Sequence, residues 1–317
     1  MRGKSLVITG GAGFIGTKLV ERLVENNEII VFDNFHRNSL QYSPVRKHKN
    51  LTVIKGNILD PRRLKKLPRT TDYVVHMAAI AGVGTVVSNP VTTLKVNLIG
   101  TYNVIEYYRS SKIRRFVDFS TSEVYGPHIF RADESGMTTQ GPLSEPRWVY
   151  AASKLASEFI THGAHREYGL PTVSIRPFNV YGPGQIGEGA IHHFIVNAIH
   201  NKPLIVHGDG NSIRSWCYVD DFVSGVILCL QKRCAVGESF NIGNPEATGT
   251  VYELALKVIR LAGSRSTIRF KKITYPDVDI RVPSIDKARK LLGYAPEVEY
   301  DDGILRTIEW YKEHIGK

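Results

Sequence analysis

Short, nearly continuous apolar runs punctuate the first half of the chain, at Ser5–Thr9, Ile29–Phe32, Leu51–Ile54, Tyr73–His76, Phe116–Ser120 and Thr172–Ile175. They are rich in Val, Ile and Phe and lack the in–out alternation of a half-solvated strand, so they predict strands buried on both faces. Between them the apolar positions fall at helical spacing, as in Thr17–Glu25, Pro90–Ser110 and Tyr150–Tyr168. Strand–helix–strand repetition of this kind predicts the α/β class with a doubly wound parallel sheet.

After about Arg176 the texture changes. Gly and Pro crowd into Asn179–Gly189, the composition of a loop or lid. Phe222–Leu230 then reads as a helix and Ser239–Ile242 as a strand, both able to return to the main sheet. The expected organisation is a first domain over residues 1–176 with returns near 215–245, and a smaller, interleaved C-terminal lobe made mainly of 177–317. No internal repeat or low-complexity linker interrupts it.

Composition narrows the class. Hydrophobic residues make up 42% and charged residues 22% of 317, which excludes a disordered chain. The three cysteines, Cys217, Cys229 and Cys234, form neither a disulfide framework nor a paired zinc motif, and adjacent His192 and His193 diverge, so no metal is expected. The N-terminal apolar run leads into glycines rather than a cleavage site, and no stretch is long enough to span a membrane. A reduced, cytoplasmic protein is the expectation. The net charge of +11 raises the question of nucleic acid. The basic clusters around Arg62 and Lys112 carry almost no interleaved aromatics and read as solvated helix faces. Their charge would steer an anionic small molecule instead.

Candidate chemistry begins at Gly10-Gly11-Ala12-Gly13-Phe14-Ile15-Gly16, directly after the first strand and opening a helix. Glycine is needed where the turn is tight, the backbone approaches a pyrophosphate and the helix packs on the sheet. Backbone N–H groups at the helix start stabilise phosphate charge. Asp33, at the end of the second strand, is placed to bind an adenosine ribose and would repel a 2′-phosphate, which favours NAD over NADP. The fold expected is therefore of the Rossmann type. A second constellation is Tyr150-Ala151-Ala152-Ser153-Lys154, a phenol and an ammonium on one helical face. A phenol is a poor base near neutrality, and a nearby cation lowers its pKa. The alternative is an ordinary amphipathic surface pair. A third piece, Ser120-Thr121-Ser122-Glu123-Val124-Tyr125-Gly126, stands at the carboxyl end of the fifth strand, where doubly wound sheets bind ligands. Its alternative is a helix cap.

Together with His76–Ala79 (HMAA), Arg176–Gly184 (RPFNVYGPG), Arg214–Asp221 (RSWCYVDD) and Arg281–Tyr294, these motifs make the whole chain resemble the extended short-chain dehydrogenase/reductase family, in particular its nucleotide-sugar epimerases, dehydratases and decarboxylases. The resemblance implies an NAD site formed by Gly10, Gly13, Phe14, Ile15, Gly16, Asp33, Asn34, Asn57, Ile58, Ala78, Ala79, Tyr150, Lys154 and Pro177. Asn57 departs from a frequent aspartate beside the adenine. Tyr150 would take the proton of the sugar 4-hydroxyl, Lys154 would lower its pKa and bind the nicotinamide ribose, and Thr121 would hydrogen-bond the same hydroxyl. Ser122, Asn179, Arg214 and Arg281 would bind substrate, the two arginines clamping its diphosphate. The resemblance also implies a homodimer built on the helices Pro90–Ser110 and Tyr150–Tyr168.

The shared chemistry passes through a 4-keto sugar. Glu123 then distinguishes the outcomes, because simple 4-epimerases carry a small neutral residue there. Ser122 replaces the aspartate that dehydratases use as a proton donor. Thr-Ser-Glu and the adjoining Pro146-Arg147-Trp148-Val149-Tyr150 resemble UDP-glucuronate decarboxylases, whereas Ala81–Asn89 looks epimerase-like. The expectation is a UDP-glucuronate decarboxylase first, a UDP-sugar 4-epimerase second and a 4,6-dehydratase third. A structural hydrogen bond is the alternative role for Glu123. A non-catalytic NAD or nucleotide-sugar sensor is the alternative for the whole protein, and the joint presence of Thr121, Tyr150 and Lys154 argues against it.

Overall fold

The computed structural model describes residues 1–273 and 276–315. Its strands are β1 (Ser5–Thr9), β2 (Glu28–Asp33), β3 (Leu51–Lys55), β4 (Tyr73–His76), β5 (Arg115–Phe119), β6 (His128–Ala132) and β7 (Thr172–Pro177). They continue as β8 (Val180–Tyr181), β9 (Leu204–His207), β10 (Ile213–Ser215), β11 (Cys217–Tyr218), β12 (Ser239–Ile242), β13 (Thr248–Thr250), β14 (Ile268–Lys271) and β15 (Ile280–Pro283). Seven of them form a parallel sheet in the order β12-β7-β5-β4-β1-β2-β3. The order reverses between β1 and β4, the switch point of a doubly wound Rossmann-type sheet.

Alternate side chains feed opposite faces of this sheet. Leu6 and Ile8 join Leu19, Phe222 and Val226 in one apolar cluster, packed by the helices Phe14–Leu23 and Val219–Gln231. Val7, Val74 and Phe116 join Val104, Tyr108 and Ala164 in another, under Gly100–Tyr108 and Val149–Tyr168. A third cluster, with Phe194, Trp216, Leu254 and Ile308, lies among elements drawn from the later part of the chain. There a four-stranded sheet runs β13-β10-β15-β6. Its member β6 comes from the first half, and β12 of the second half completes the large sheet.

Three expectations change. Not all strands are buried on both faces: β3 is an edge strand with Thr52 and Val53 exposed, because among the described residues only β2 pairs with it. The stretch Pro90–Ser110 is not one uniform helix. It divides into Pro90–Leu94, a π-helical turn at Lys95–Ile99, and Gly100–Tyr108. The first helix starts at Phe14 rather than Thr17, since Gly13 serves as its N-cap. Strand β6 went unpredicted; its burial is mixed, and only pairing with β15, far along the chain, makes it a strand.

Candidate active site

The glycine turn closes on the ends of β1 and β4. Gly10 has φ +73°, and a Cβ there would lie 2.6 Å from the Ala78 backbone nitrogen. A Cβ on Gly16 would lie 2.6 Å from Gly11 Cα, so any side chain would force the helix off the turn. Phe14 and Ile15 open that helix, half-buried. Asp33 holds the geometry from β2: its carboxylate accepts from Ala12 N at 3.0 Å and Phe35 N at 2.7 Å. Burial raises its pKa, and the backbone donors partly offset that. Next to it, Asn34 and Asn57 line a cleft of about 380 Å³ with Lys55, Gly56, Asp60 and Arg63. Asn57 Oδ1 accepts from Leu59 N, and the Ile58 carbonyl accepts from Asn103. Ala79, exposed, follows β4, and Pro177, half-buried, ends β7. A backbone cradle with no room for a Cβ, beside a buried carboxylate, fits a dinucleotide.

Asn97 was missed from sequence and ties this cradle to the catalytic helix. Its amide pairs with both Ile80 N (2.7 Å) and Ile80 O (3.0 Å), and its nitrogen also reaches Ser153 Oγ at 3.0 Å. Asn97 sits in the π-helical turn, a distortion common at functional sites. An asparagine set in the short apolar run Val96-Asn97-Leu98-Ile99 was the available signal.

The chemistry-bearing residues meet beyond the end of β5. Thr121, in extended conformation, caps the short turn Ser122–Tyr125 by accepting from Glu123 N at 3.2 Å. Its side chain also acts on the Tyr150 hydroxyl, favouring the phenolate. Ser122 is buried beside it. Glu123 is clamped: Arg147 Nη1 and Nη2 lie 2.6 and 3.1 Å from its two oxygens, and Arg281 Nη2 is 3.3 Å away. Burial would push the Glu123 carboxyl up, but Arg281 and Arg147 outweigh it and hold the group below its usual range. This ionised, doubly paired carboxylate is poorly suited to accept a proton from a sugar, and its partners are guanidiniums rather than the neighbouring backbone. Arg147 was not singled out as a site residue, since an arginine before an aromatic carries no charge-pairing signal in one dimension.

Arg214 lies directly across from Arg281, on the adjacent strands β10 and β15. It contacts Asp277 at 3.4 Å and the Ile213 carbonyl at 3.0 Å. Burial first, and Arg281 second, lower its pKa to about 10. Asn179, with φ +36°, spends its amide nitrogen on the Ser215 carbonyl at 2.8 Å and so pins the loop after β7.

The expected effect of Lys154 on Tyr150 is not what the structure displays. The Lys154 ammonium is 3.8 Å from Asp118, a fully buried carboxylate on β5 that draws it toward the sheet. Burial, with Glu123 next, pushes the Tyr150 phenol up to about 12, against the opposing pull of Thr121, Arg281 and Arg147. Asp118 went unnoticed inside an apolar run.

Comparison with known proteins follows the same lines. The family described as "NAD dependent epimerase/dehydratase family" matches residues 6–243. A UDP-N-acetyl-alpha-D-glucosaminuronate decarboxylase of Bacillus cytotoxicus is 34% identical, over 98% of both chains. A UDP-glucuronate 4-epimerase of Thermodesulfobacterium geofontis is 31% identical, over 98% of this chain and 96% of its own. Among solved structures, the UDP-glucuronic acid 4-epimerase of Bacillus cereus, in complex with UDP-glucuronic acid and NAD, is similar at a TM-score of 0.88 and 28% identity, covering 98% of this chain and 99% of that one.

Proposed function

The chain belongs to the NAD-dependent epimerase/dehydratase family, and from that premise we propose that it remodels a nucleoside-diphosphate hexuronate through a 4-keto intermediate, with decarboxylation of a UDP-linked uronate as the narrower reading. The observation that carries this is the gathering of three buried guanidiniums, Arg147, Arg214 and Arg281, beside Glu123 and Asp277, with Arg281 and Arg147 acting on the Tyr150 phenol. A diphosphate and a sugar carboxylate are anions that guanidiniums bind through paired hydrogen bonds.

In this reading the residues 1–176 hold NAD, and 177–317 mainly hold the nucleotide, with the stretch near 215–245 returning to the first domain. NAD supplies the acceptor for the C4 hydride. Tyr150, its phenolate favoured by Thr121, takes the 4-hydroxyl proton, and Lys154 turns from Asp118 to bind the nicotinamide ribose. Glu123 is not a base but holds Arg147 and Arg281 beside the ring, where they meet the uronate carboxylate. Arg214, one strand further out, meets the diphosphate with Asn179 and Ser122 nearby. A ketone at C4 makes the C6 carboxylate that of a β-keto acid, so carbon dioxide leaves, C5 takes a proton from water, and return of the hydride to C4 with the proton held on Tyr150 would restore the 4-hydroxyl.

A second reading, 4-epimerisation of the same uronate, is favoured by the firmness of the arginine clamp, which would keep a carboxylate in place. Dehydration has least support, because Glu123 is committed to two cations. Incubation with NAD and a panel of UDP-glucuronate, UDP-N-acetylglucosaminuronate, UDP-glucose and GDP-mannose, followed by mass spectrometry, tests the proposal. Loss of carbon dioxide supports decarboxylation. An unchanged mass with a new stereoisomer from a uronate supports the second reading. Turnover of neutral sugars alone would remove the uronate assignment. Tyr150→Phe is expected to lower turnover at least about a hundredfold.

A further inference from the structure

The loop between β8 and the helix Ala190–Ile199 crosses the mouth of the glycine cradle. Gly182, Gly184, Gly187 and Gly189 all adopt positive φ, from +89° to +152°, values that other residues rarely reach. A Cβ on Gly184 would touch Phe14 and Lys18, at the start of the helix after β1. One on Gly187 would sit 3.1 Å from Arg37, in the loop after β2. Glu188 then reaches the first turn of the helix Val83–Ser88, which follows β4: its carboxylate accepts from Gly84 N at 2.9 Å, Thr85 N at 3.2 Å and Thr85 Oγ1 at 2.6 Å. Arg37 closes the triangle, donating to Glu188 at 3.3 Å and to the Ala81 carbonyl at 3.2 Å. The segment thus spans the carboxyl ends of β1, β2 and β4, the three strands that frame a dinucleotide in this fold. Its far side is tied down independently, by the bond from the Tyr311 hydroxyl to the Gln185 carbonyl.

Glycine hinges at both ends, a fixed point at Gln185 and a carboxylate fastening beside the second hinge are the parts of a strap. Glu188 and Arg37 are each about one-third exposed, so the fastening is open to solvent and reversible rather than locked in a core. Nothing in the chemistry above uses Glu188. We propose that Glu188 is the clasp of a glycine-hinged strap across the dinucleotide cleft, and that its bonds to Gly84, Thr85 and Arg37 set how slowly the cofactor leaves. The proposal rests on the reading that the cradle holds NAD. It has a functional sense there: a hydride taken from C4 and returned to the sugar needs the same cofactor at both steps.

The test reads the cofactor alone, without any sugar, so an error in the assigned reaction does not affect it. NADH-loaded protein is mixed rapidly with excess NAD, and the loss of bound-NADH fluorescence gives the dissociation rate. Hydrogen exchange of the ligand-free chain is followed in parallel over residues 182–189 and at the Gly84 and Thr85 amides. Glu188→Gln and Glu188→Ala are expected to speed NADH release by about tenfold or more, and to raise exchange at both places. Thr85→Val, which keeps the backbone donors, should move both readouts the same way by less. Faster exchange with unchanged release would overturn the proposal by placing the strap off the exit path. Unchanged exchange would overturn it by denying Glu188 the role of clasp. Failure of the unaltered protein to bind NADH at all would instead remove the cofactor reading, and the strap's purpose with it.

Discussion

Glu123 illustrates how a single side chain changes meaning in three dimensions. In sequence it is a carboxylate two residues from Thr121, a natural candidate for acid–base work. In the fold it accepts three guanidinium contacts, and the depressed pKa follows from Arg281 and Arg147 overcoming burial. A carboxyl with a depressed folded pKa contributes stability above its unfolded value, near 4.5, and loses it as pH falls through the lower folded value. The clamp is therefore expected to hold at neutral pH and fail in acid. Glu123→Gln should cost about 3 kcal/mol of stability, because it strands buried cations, as urea unfolding would report. The same change should make Tyr150 more acidic. It removes a negative neighbour and leaves Arg281 and Arg147 uncompensated, both acting in one direction on a phenol now near 12. Tyrosinate absorbance, taken as the difference between each protein and its Tyr150→Phe counterpart, measures that shift. A phenol that stayed put would contradict the assigned electrostatics.

At the scale of elements, the regular strands and helices were legible because their periodicities are local. Strand β12 (Ser239–Ile242) matches its expected bounds, and the helix of Tyr150 and Lys154 begins one residue earlier than expected. What periodicity could not convey is the π-helical turn at Lys95–Ile99. It exists to aim Asn97, and the partners Ile80 and Ser153 lie 17 and 56 residues away. Asn97→Leu would leave the Ile80 amide and carbonyl unpaired in a mostly buried setting. A loss of about 2–3 kcal/mol is expected, together with weaker NAD binding, since the Ala78–Ile80 stretch borders the cradle. Calorimetric titration with NAD beside a urea melt would separate the two effects. Gly10→Ala makes the complementary case. With 2.6 Å between a new Cβ and Ala78 N, and a positive φ to satisfy, the turn must open. Cofactor binding should be lost even where the chain still folds, as circular dichroism would verify.

For the whole molecule, the surface outside the site carries one further expectation. Val91, Ile99, Tyr102 and Phe159 are exposed, at 77%, 46%, 48% and 69%, on neighbouring helices of one face. Apolar side chains so grouped favour pairing with a second copy of the chain. Sedimentation should give a dimer, and Val91→Glu with Phe159→Glu a monomer with an unchanged circular dichroism spectrum. No helix among the described residues is long and apolar enough to cross a membrane, and the surplus of basic residues is partly invested in the site itself. Arg147, Arg214 and Arg281 come from three separate stretches of chain: Arg214 and Arg281 are neighbours because β10 and β15 pair, and Arg147 joins them from the turn Pro146–Trp148 through the shared contact with Glu123. The sequence by itself determined the parallel sheet, the glycine cradle and the Tyr150–Lys154 helix, since hydrophobic spacing and local backbone needs act over a few residues. Tertiary structure alone decided that Glu123 anchors arginines, that Asp118 draws Lys154, and that Glu188 bonds the start of a distant helix. Those are pairings between groups far apart in the chain, and their energies depend on burial and distance, which no linear pattern encodes.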